Sequence, residues 1–179
     1  MALTDKQRGV LKGMSIGAAT SLIAIIGAIV MEPAVLAPDA TASDRLAFAL
    51  CADTFIALWL GVSIGLLARH RFFTPEDIDG GGLTRGSETA NVMQATLQNT
   101  LEQTVLAVLV HLAWATLMPA SWIMAIPAAV MLFVSGRVLF ARGYRGGASS
   151  RAFGFALTFY PSVLMLVFVV GAAIRKVLV

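Results

Sequence analysis

The chain is short of charge. Of its 179 residues only 13% are charged, while 58% are hydrophobic. Soluble domains average about 25% charged and about 45–50% apolar. A water-soluble globule is therefore excluded, because so much apolar surface cannot be hidden in one core of this size and has to face lipid. Cysteine is scarcer still. Cys51 stands alone, which excludes an intrachain disulfide, and its place in an apolar run predicts a buried, inert thiol. There are two histidines, and no second His, Cys or acid stands at ligand spacing from His111, so no metal site is expected. P-loop, dinucleotide-binding and nucleophile-elbow motifs are absent. The net charge of +3 is small, and no nucleic-acid partner is expected. There is no internal repeat, and the length allows no separate soluble module.

What is present is a series of apolar stretches, each close to the roughly 20 residues that span a bilayer. The first, Gly13–Met31, ends at Glu32-Pro33. Its uncharged run exceeds the roughly 7–15 residues of a signal-peptide core, so it reads as a retained helix. The second, Leu46–Ala68, carries Asp53 and closes at Arg69-His70-Arg71. A polar loop with Pro75 and Gly80-Gly81-Gly82 follows. Ser87 and Glu88 suit the start of a third helix. Its first half is polar, with Asn91, Gln94, Gln98, Asn99, Glu102 and Gln103, and its second half, Val105–Met118, is apolar apart from His111 and Thr116. The fourth, Ser121–Phe140, has Pro127 as an expected kink. A Gly- and Ser-rich turn leads to the fifth, Ala152–Ile174, which contains Pro161. The expected fold class is an all-α integral membrane protein of five spans.

The basic residues orient these spans. With the N-terminus inside, the inner segments hold Lys6, Arg8, Lys12, Arg69, Arg71, Arg85, Arg137, Arg142, Arg145 and Arg151, and the outer ones only Arg45, Arg175 and Lys176. Ten against three predicts a cytoplasmic N-terminus and an external C-terminus. A bacterial cytoplasmic membrane is the expected location. Small residues in the first helix, among them Gly13, Gly17, Ala18 and Ser21, permit close helix approach. That helix is expected on the outside of the bundle, away from any site.

Two carboxylates lie at membrane depth, where ionisable groups are costly and are functional candidates by default. Asp53 is expected to find a Ser, Thr or Gln on a neighbouring helix. Asn99 and Glu102, spaced i, i+3, are expected to share a face and to form one wall of a polar pocket or interhelical polar glue. Arg137, Phe140 and Tyr144, spaced i, i+3, i+7, share another face, and Arg151 opens the fifth helix. Together these residues predict a basic pocket with one acid and one amide at the inner ends of three helices, suited to a ligand with carboxylates and an ammonium group.

The run FFTPEDIDGGGLTRGSETANVMQATLQNTLE, Phe72–Glu102, followed by GRVLFARGYRGGASSR, Gly136–Arg151, resembles the MAPEG family (membrane-associated proteins in eicosanoid and glutathione metabolism). The Asn-x-x-Glu of the polar half-helix and the Gly-Tyr with an arginine seven residues after the tyrosine carry the resemblance. It implies a four-helix bundle over residues 45–179, with residues 1–44 as an extra transmembrane helix and external loop, and assembly as a homotrimer among membrane lipids. It implies a glutathione site between neighbouring subunits, near the cytoplasmic face. There Asn99 and Glu102 would bind the peptide and its amino group, Arg137 and Tyr144 would line the site, Arg69 would reach it, and Arg151 would face the sulfur. A cation there favours thiolate over thiol. Lowering a thiol pKa of about 8.5 by two units takes about 2.7 kcal/mol of preference for the anion. The implied activity is a glutathione-dependent transferase or peroxidase, with glutathione as co-substrate and a hydrophobic small molecule as its partner. The alternatives are a non-catalytic lipid-binding or scaffold member of the same fold, or a small transporter resting on Asp53 and His111. The sequence departs from the family's pattern at Ala95, where an arginine is frequent, and at Phe140, where a tyrosine is common.

Overall fold

A computed structural model of the chain describes residues 2–31 and 40–178. The Glu32-Pro33 stop of the first stretch lies outside the described residues. Five long helices run through the rest: α1 (Asp5–Val30), α2 (Ala42–Phe73), α3 (Glu88–Leu117), α4 (Ala125–Gly143) and α5 (Ala148–Leu178). Short 3₁₀ turns, Pro75–Asp77, Ala120–Trp122 and Tyr144–Gly146, precede α3, α4 and α5. All five spans are long and apolar enough to cross a membrane, with mean hydropathies from 1.3 to 2.2 and the lowest value in half-polar α3.

The helices outrun the apolar stretches because polar residues start them. Thr4 caps α1 and Thr41 caps α2, each in a reciprocal box with the residue three on, Gln7 and Asp44. Each box satisfies backbone N–H groups that a helix start leaves free. Ser87 caps α3 by accepting from the Ala90 amide. Pro127 is the third residue of α4, after a 3₁₀ turn. It therefore sits in a first turn, where its missing N–H is not needed, and not at the expected kink.

The core gathers Trp114 of α3, Ile126 and Phe133 of α4, Met165 of α5, Ile56 of α2 and Ile25 of α1. Trp114, Trp122 and Phe168 pack with ring centroids 6.0–6.1 Å apart. Cys51, contrary to expectation, is exposed on α2. An apolar run supplies one stripe to the core and turns the remainder toward lipid, and Cys51 falls in the remainder.

Two glycine seams set the helix spacing. Between α4 and α5, a Cβ on Gly136 would lie 2.8 Å from the Gly154 carbonyl oxygen, and one on Gly154 would lie 2.8 Å from the Gly136 carbonyl oxygen. Between α1 and α5, Gly9 faces Ser149, Gly13 faces Ala152 and Gly17 faces Ala156. The pairing makes α1 and α5 parallel. Beyond it Ser21, Ile25 and Ile29 continue the same buried stripe at four-residue steps. The small residues of α1 thus do what their size allows, but against α5. The helix lies along α5 and α4, on the outside of the other four as expected.

Candidate functional site

At the end of the bundle that carries the starts of α1, α3 and α5, a cavity of about 280 Å³ opens among four helices. Val10 and Met14 of α1 form one side and Ala95 and Asn99 of α3 another, and Phe140, Tyr144, Arg151 and Phe155 close it. The expectation that α1 lies away from the site is therefore corrected. The reason is the glycine seam, which draws α1 onto α5 at the level of Arg151.

Arg137 sits behind the cavity, 1% exposed. It donates to Asn99 Oδ1 at 2.8 Å and to the Thr158 hydroxyl, and its Nε has no partner. Its guanidinium lies 4.6 Å from the Phe140 ring centroid and 5.7 Å from that of Phe133. Arginine has no acceptor, so the Asn99 carbonyl must face Arg137 and the amide's two N–H donors are left for the cavity. Among the described residues, the ion pairs are Arg8–Asp5, His70–Asp77 and His111–Asp53. None neutralises Arg137 or Arg151. Burying a charge without a counter-charge is expensive, and the position makes sense where an anion completes it.

Arg151 lies over the Tyr144 ring at 4.2 Å and reaches to 6.0 Å from Phe140. Such cation–π contacts fix a guanidinium without neutralising it. Phe140 and Tyr144 meet edge to face at 5.5 Å, so the i, i+3, i+7 face of the fourth helix is real. Gly143 and Gly147 let the chain turn between helices: a Cβ on Gly143 would press on Ser150 backbone, and Gly147 has φ 87°.

Four of the six expected site residues are thus together: Asn99, Arg137, Tyr144 and Arg151. Glu102 and Arg69 are not. Glu102 is exposed and accepts from Gln98 Nε2 at 3.0 Å. At 100° per residue an i, i+3 pair is about 60° apart, and the edge of the buried face falls between Asn99 and Glu102. Arg69 is exposed beside a separate hollow with Leu66, His70 and Met93.

Two polar clusters lie apart from this cavity. Asp53 pairs with His111, not with a Ser, Thr or Gln: Nδ1 to Oδ1 is 2.6 Å, with both side chains buried. Arg45 donates to the Met118 carbonyl at 2.9 Å, setting one level for α2 and α3. Asp53 and His111 both lie about 10–12 Å below it at 1.5 Å per residue, and this equal depth was the available signal. The second cluster holds the α2–α3 loop. Ser87 donates its hydroxyl to Asp77 Oδ2 at 2.7 Å and its amide to Oδ1 at 2.6 Å, and His70 Nε2 adds 2.8 Å to Oδ2. The Ser87 donors, with a smaller contribution from His70, hold the Asp77 carboxyl below its ordinary value of 3.8. Because the Ser87 hydroxyl proton is committed to Asp77 and its oxygen to the helix cap, this Ser-His-Asp group is a latch and not a nucleophile.

No curated protein and no solved structure matches the chain. The MAPEG family model matches residues 46–171, which takes in most of α2, all of α3 and α4, most of α5 and the four gathered site residues, and leaves α1 outside. The chain belongs to the MAPEG family, integral membrane proteins of eicosanoid and glutathione metabolism.

Proposed function

We propose that the protein is a glutathione-dependent transferase or peroxidase acting on lipophilic electrophiles at the cytoplasmic face of its membrane. The observation that carries this reading is a pair of arginines, Arg151 lining one cavity and Arg137 buried behind it, with no carboxylate among the described residues to neutralise either. An anionic tripeptide fits such a donor set. When bound, glutathione supplies the thiolate that attacks the electrophile. The chain's own residues do the rest. Asn99, oriented by Arg137, offers two N–H donors to a peptide carbonyl or carboxylate. Arg151, pinned on Tyr144, favours the anionic over the neutral form of a sulfur placed before it.

One subunit lacks an acid in the cavity for the ligand's ammonium group. Gln94, Gln98 and Glu102 form an exposed polar stripe on α3, and Glu102 lies about 22 Å from the far end of that helix, well within a hydrocarbon slab of about 30 Å. A lipid-facing acid at membrane depth is costly. That cost supports a homotrimer in which the stripe is covered and Glu102 and Arg69 are presented to a neighbour's cavity. Ala95 in the cavity wall favours a second reading, a non-catalytic member holding a lipid head group between Arg137 and Arg151.

The test is glutathione conjugation of an aryl halide, and reduction of an alkyl hydroperoxide, by the purified full chain in lipid nanodiscs. Arg151→Ala is expected to lower turnover about 100-fold, the scale of removing one group that stabilises developing charge, while glutathione binding persists. Wild-type protein that binds lipid head groups but turns over neither substrate supports the second reading and overturns the first.

A further inference from the structure

We infer that α1 is the apolar wall of the site, and that Val10 and Met14 determine which lipophilic co-substrates it admits. The inference rests on the glutathione-dependent reading for the polar half of the cavity and adds the identity of the apolar half.

The two halves are segregated. Asn99, Tyr144 and Arg151 bring the donors and the charge, while Val10 and Met14 stand on α1 with Phe155 and Ala152 beside them. Since the family match begins at residue 46, this wall is supplied by a segment outside the match. It is also held firmly. A Cβ on Gly9 would lie 2.8 Å from Ser149 Oγ, one on Gly13 would lie 3.0 Å from Ala152 Cβ, and one on Gly17 would fall inside the Ala156 methyl. Ser149 Oγ donates to the Lys6 carbonyl at 3.1 Å. The helix is fixed against α5 along three turns, with Val10 and Met14 each one residue after a seam glycine.

A second hollow of about 420 Å³ adjoins the cavity across Val10, Met14 and Ala148 and is lined further by Leu3 and Leu11, with Thr4, Lys6 and Gln7 at its polar edge. Leu3 and Leu11 are 47% and 55% exposed. On this inference a molecule with its reactive carbon before Arg151 runs an unbranched chain over Met14 and Val10 into the adjoining hollow, along its leucines. Methionine's flexible thioether suits an irregular, mobile chain. The class of co-substrate is an electrophile with an extended alkyl tail, delivered from the membrane interface.

The experiment uses the full chain in nanodiscs with glutathione and 2-alkenals of six to fourteen carbons, alongside a small aryl halide. Addition to an alkenal forms the S–C bond at C3 and returns the thiol proton to C2, so no other reactant is needed. The readout is the ratio of kcat/KM for the long alkenal to that for the aryl halide, taken within each variant. Met14→Trp fills the passage and should lower this ratio at least about tenfold, the scale on which a pocket discriminates by size. Val10→Ala with Met14→Ala widens the passage and should shift the chain-length optimum. Two active variants with the wild-type ratio and optimum would overturn the inference. A photoreactive diazirine on a long alkyl chain gives a readout that needs no turnover. Its label should concentrate on the peptide carrying Val10 and Met14 and be competed by unlabelled long alkenal. Saturable labelling there without conjugation would sink the glutathione reading and leave the α1 wall standing. Conjugation with an unchanged ratio and label spread over the lipid-facing surface would do the reverse. Neither conjugation nor localised labelling would refute both.

Discussion

Gly154→Ala should damage the protein out of proportion to one methyl group. A Cβ at this position would lie 2.8 Å from the Gly136 carbonyl oxygen, 2.9 Å from the Leu139 carbonyl carbon and closer still to the Phe140 amide nitrogen. Ordinary contact between heavy atoms is about 3.5 Å, so α4 and α5 must part by at least about 0.7 Å at the Gly136 oxygen and by more at the Phe140 nitrogen. The obstructing atoms are backbone, and no rotamer change relieves them. Overpacking of this kind costs about 1–3 kcal/mol. The consequence for function is larger, because the seam fixes both arginines. Arg137 follows Gly136 directly and bridges to Thr158 on α5 and Asn99 on α3, and Arg151 lies one turn before Gly154. Misplacing a catalytic or binding group by about 1 Å can cost about 100-fold in rate, and a loss of at least about tenfold is expected here. The assay is kcat/KM for glutathione conjugation in nanodiscs, with the midpoint of thermal inactivation as the stability readout. Gly171→Ala is the control, on the same helix with nothing within 4 Å of the added Cβ, and it should be neutral or slightly stabilising through helix propensity. If Gly154→Ala matches Gly171→Ala in both readouts, the helices are not in backbone contact at this seam and the positioning argument fails.

Asp53→Ala leaves His111 buried with its strongest partner gone. Polar pairs between membrane helices average about 0.6 kcal/mol with maxima near 1.7, and a fully buried 2.6 Å pair belongs at the upper end. A loss of about 1.5–2 kcal/mol in detergent unfolding is expected, largely recovered in Asp53→Leu with His111→Phe, since removing both partners is less costly than orphaning one; equal losses in the single and the double variant would contradict this. For the Asp77 latch the folded carboxyl titrates below 3.8, so its contribution is fully present above that value and is lost as pH falls through the lower folded value. The protection of amides in residues 74–87, taken relative to the intrinsic exchange rate at each pH, should therefore fall below about pH 4 in wild type, while in Asp77→Asn it should be low already at pH 7; a loop whose protection is the same in both proteins would exclude the latch. Reporter fusions should place Met1 in the cytoplasm and Val179 outside, as the ten-to-three distribution of basic residues requires, and both ends on one side would break the five-span topology.

The five helices were legible because lipid imposes a length and a composition that soluble folds do not. Their ends were less so. Hydropathy ignores the polar first turns, although Thr4-x-x-Gln7 and Thr41-x-x-Asp44 are capping boxes that mark both starts. Pro127 read as a kink because nothing in the apolar run betrays the 3₁₀ turn that restarts the helix just before it. In the candidate site, the shared face of Arg137, Phe140 and Tyr144 was legible, and so was its convergence with Asn99 and Arg151 at the ends of neighbouring helices. Glu102 was not, because a three-residue spacing does not say where the edge of the buried face falls, and the partner of Asp53 was not. Asp53 and His111 meet across 58 residues, and local spacing says nothing of such a pair. The glycines of α1 revealed that something packs closely there, but not that it is α5, and so the contribution of Val10 and Met14 to the cavity stayed hidden.

Glutathione titrated calorimetrically into the full chain in lipid nanodiscs tests the central claim most directly. Saturable binding is expected in wild type, and binding weakened roughly fivefold to tenfold in Asn99→Ala, the loss of about 1–1.5 kcal/mol for one hydrogen-bonding group, with the assembly unchanged in size. Wild-type protein of intact assembly that shows no saturable heat with glutathione would contradict it.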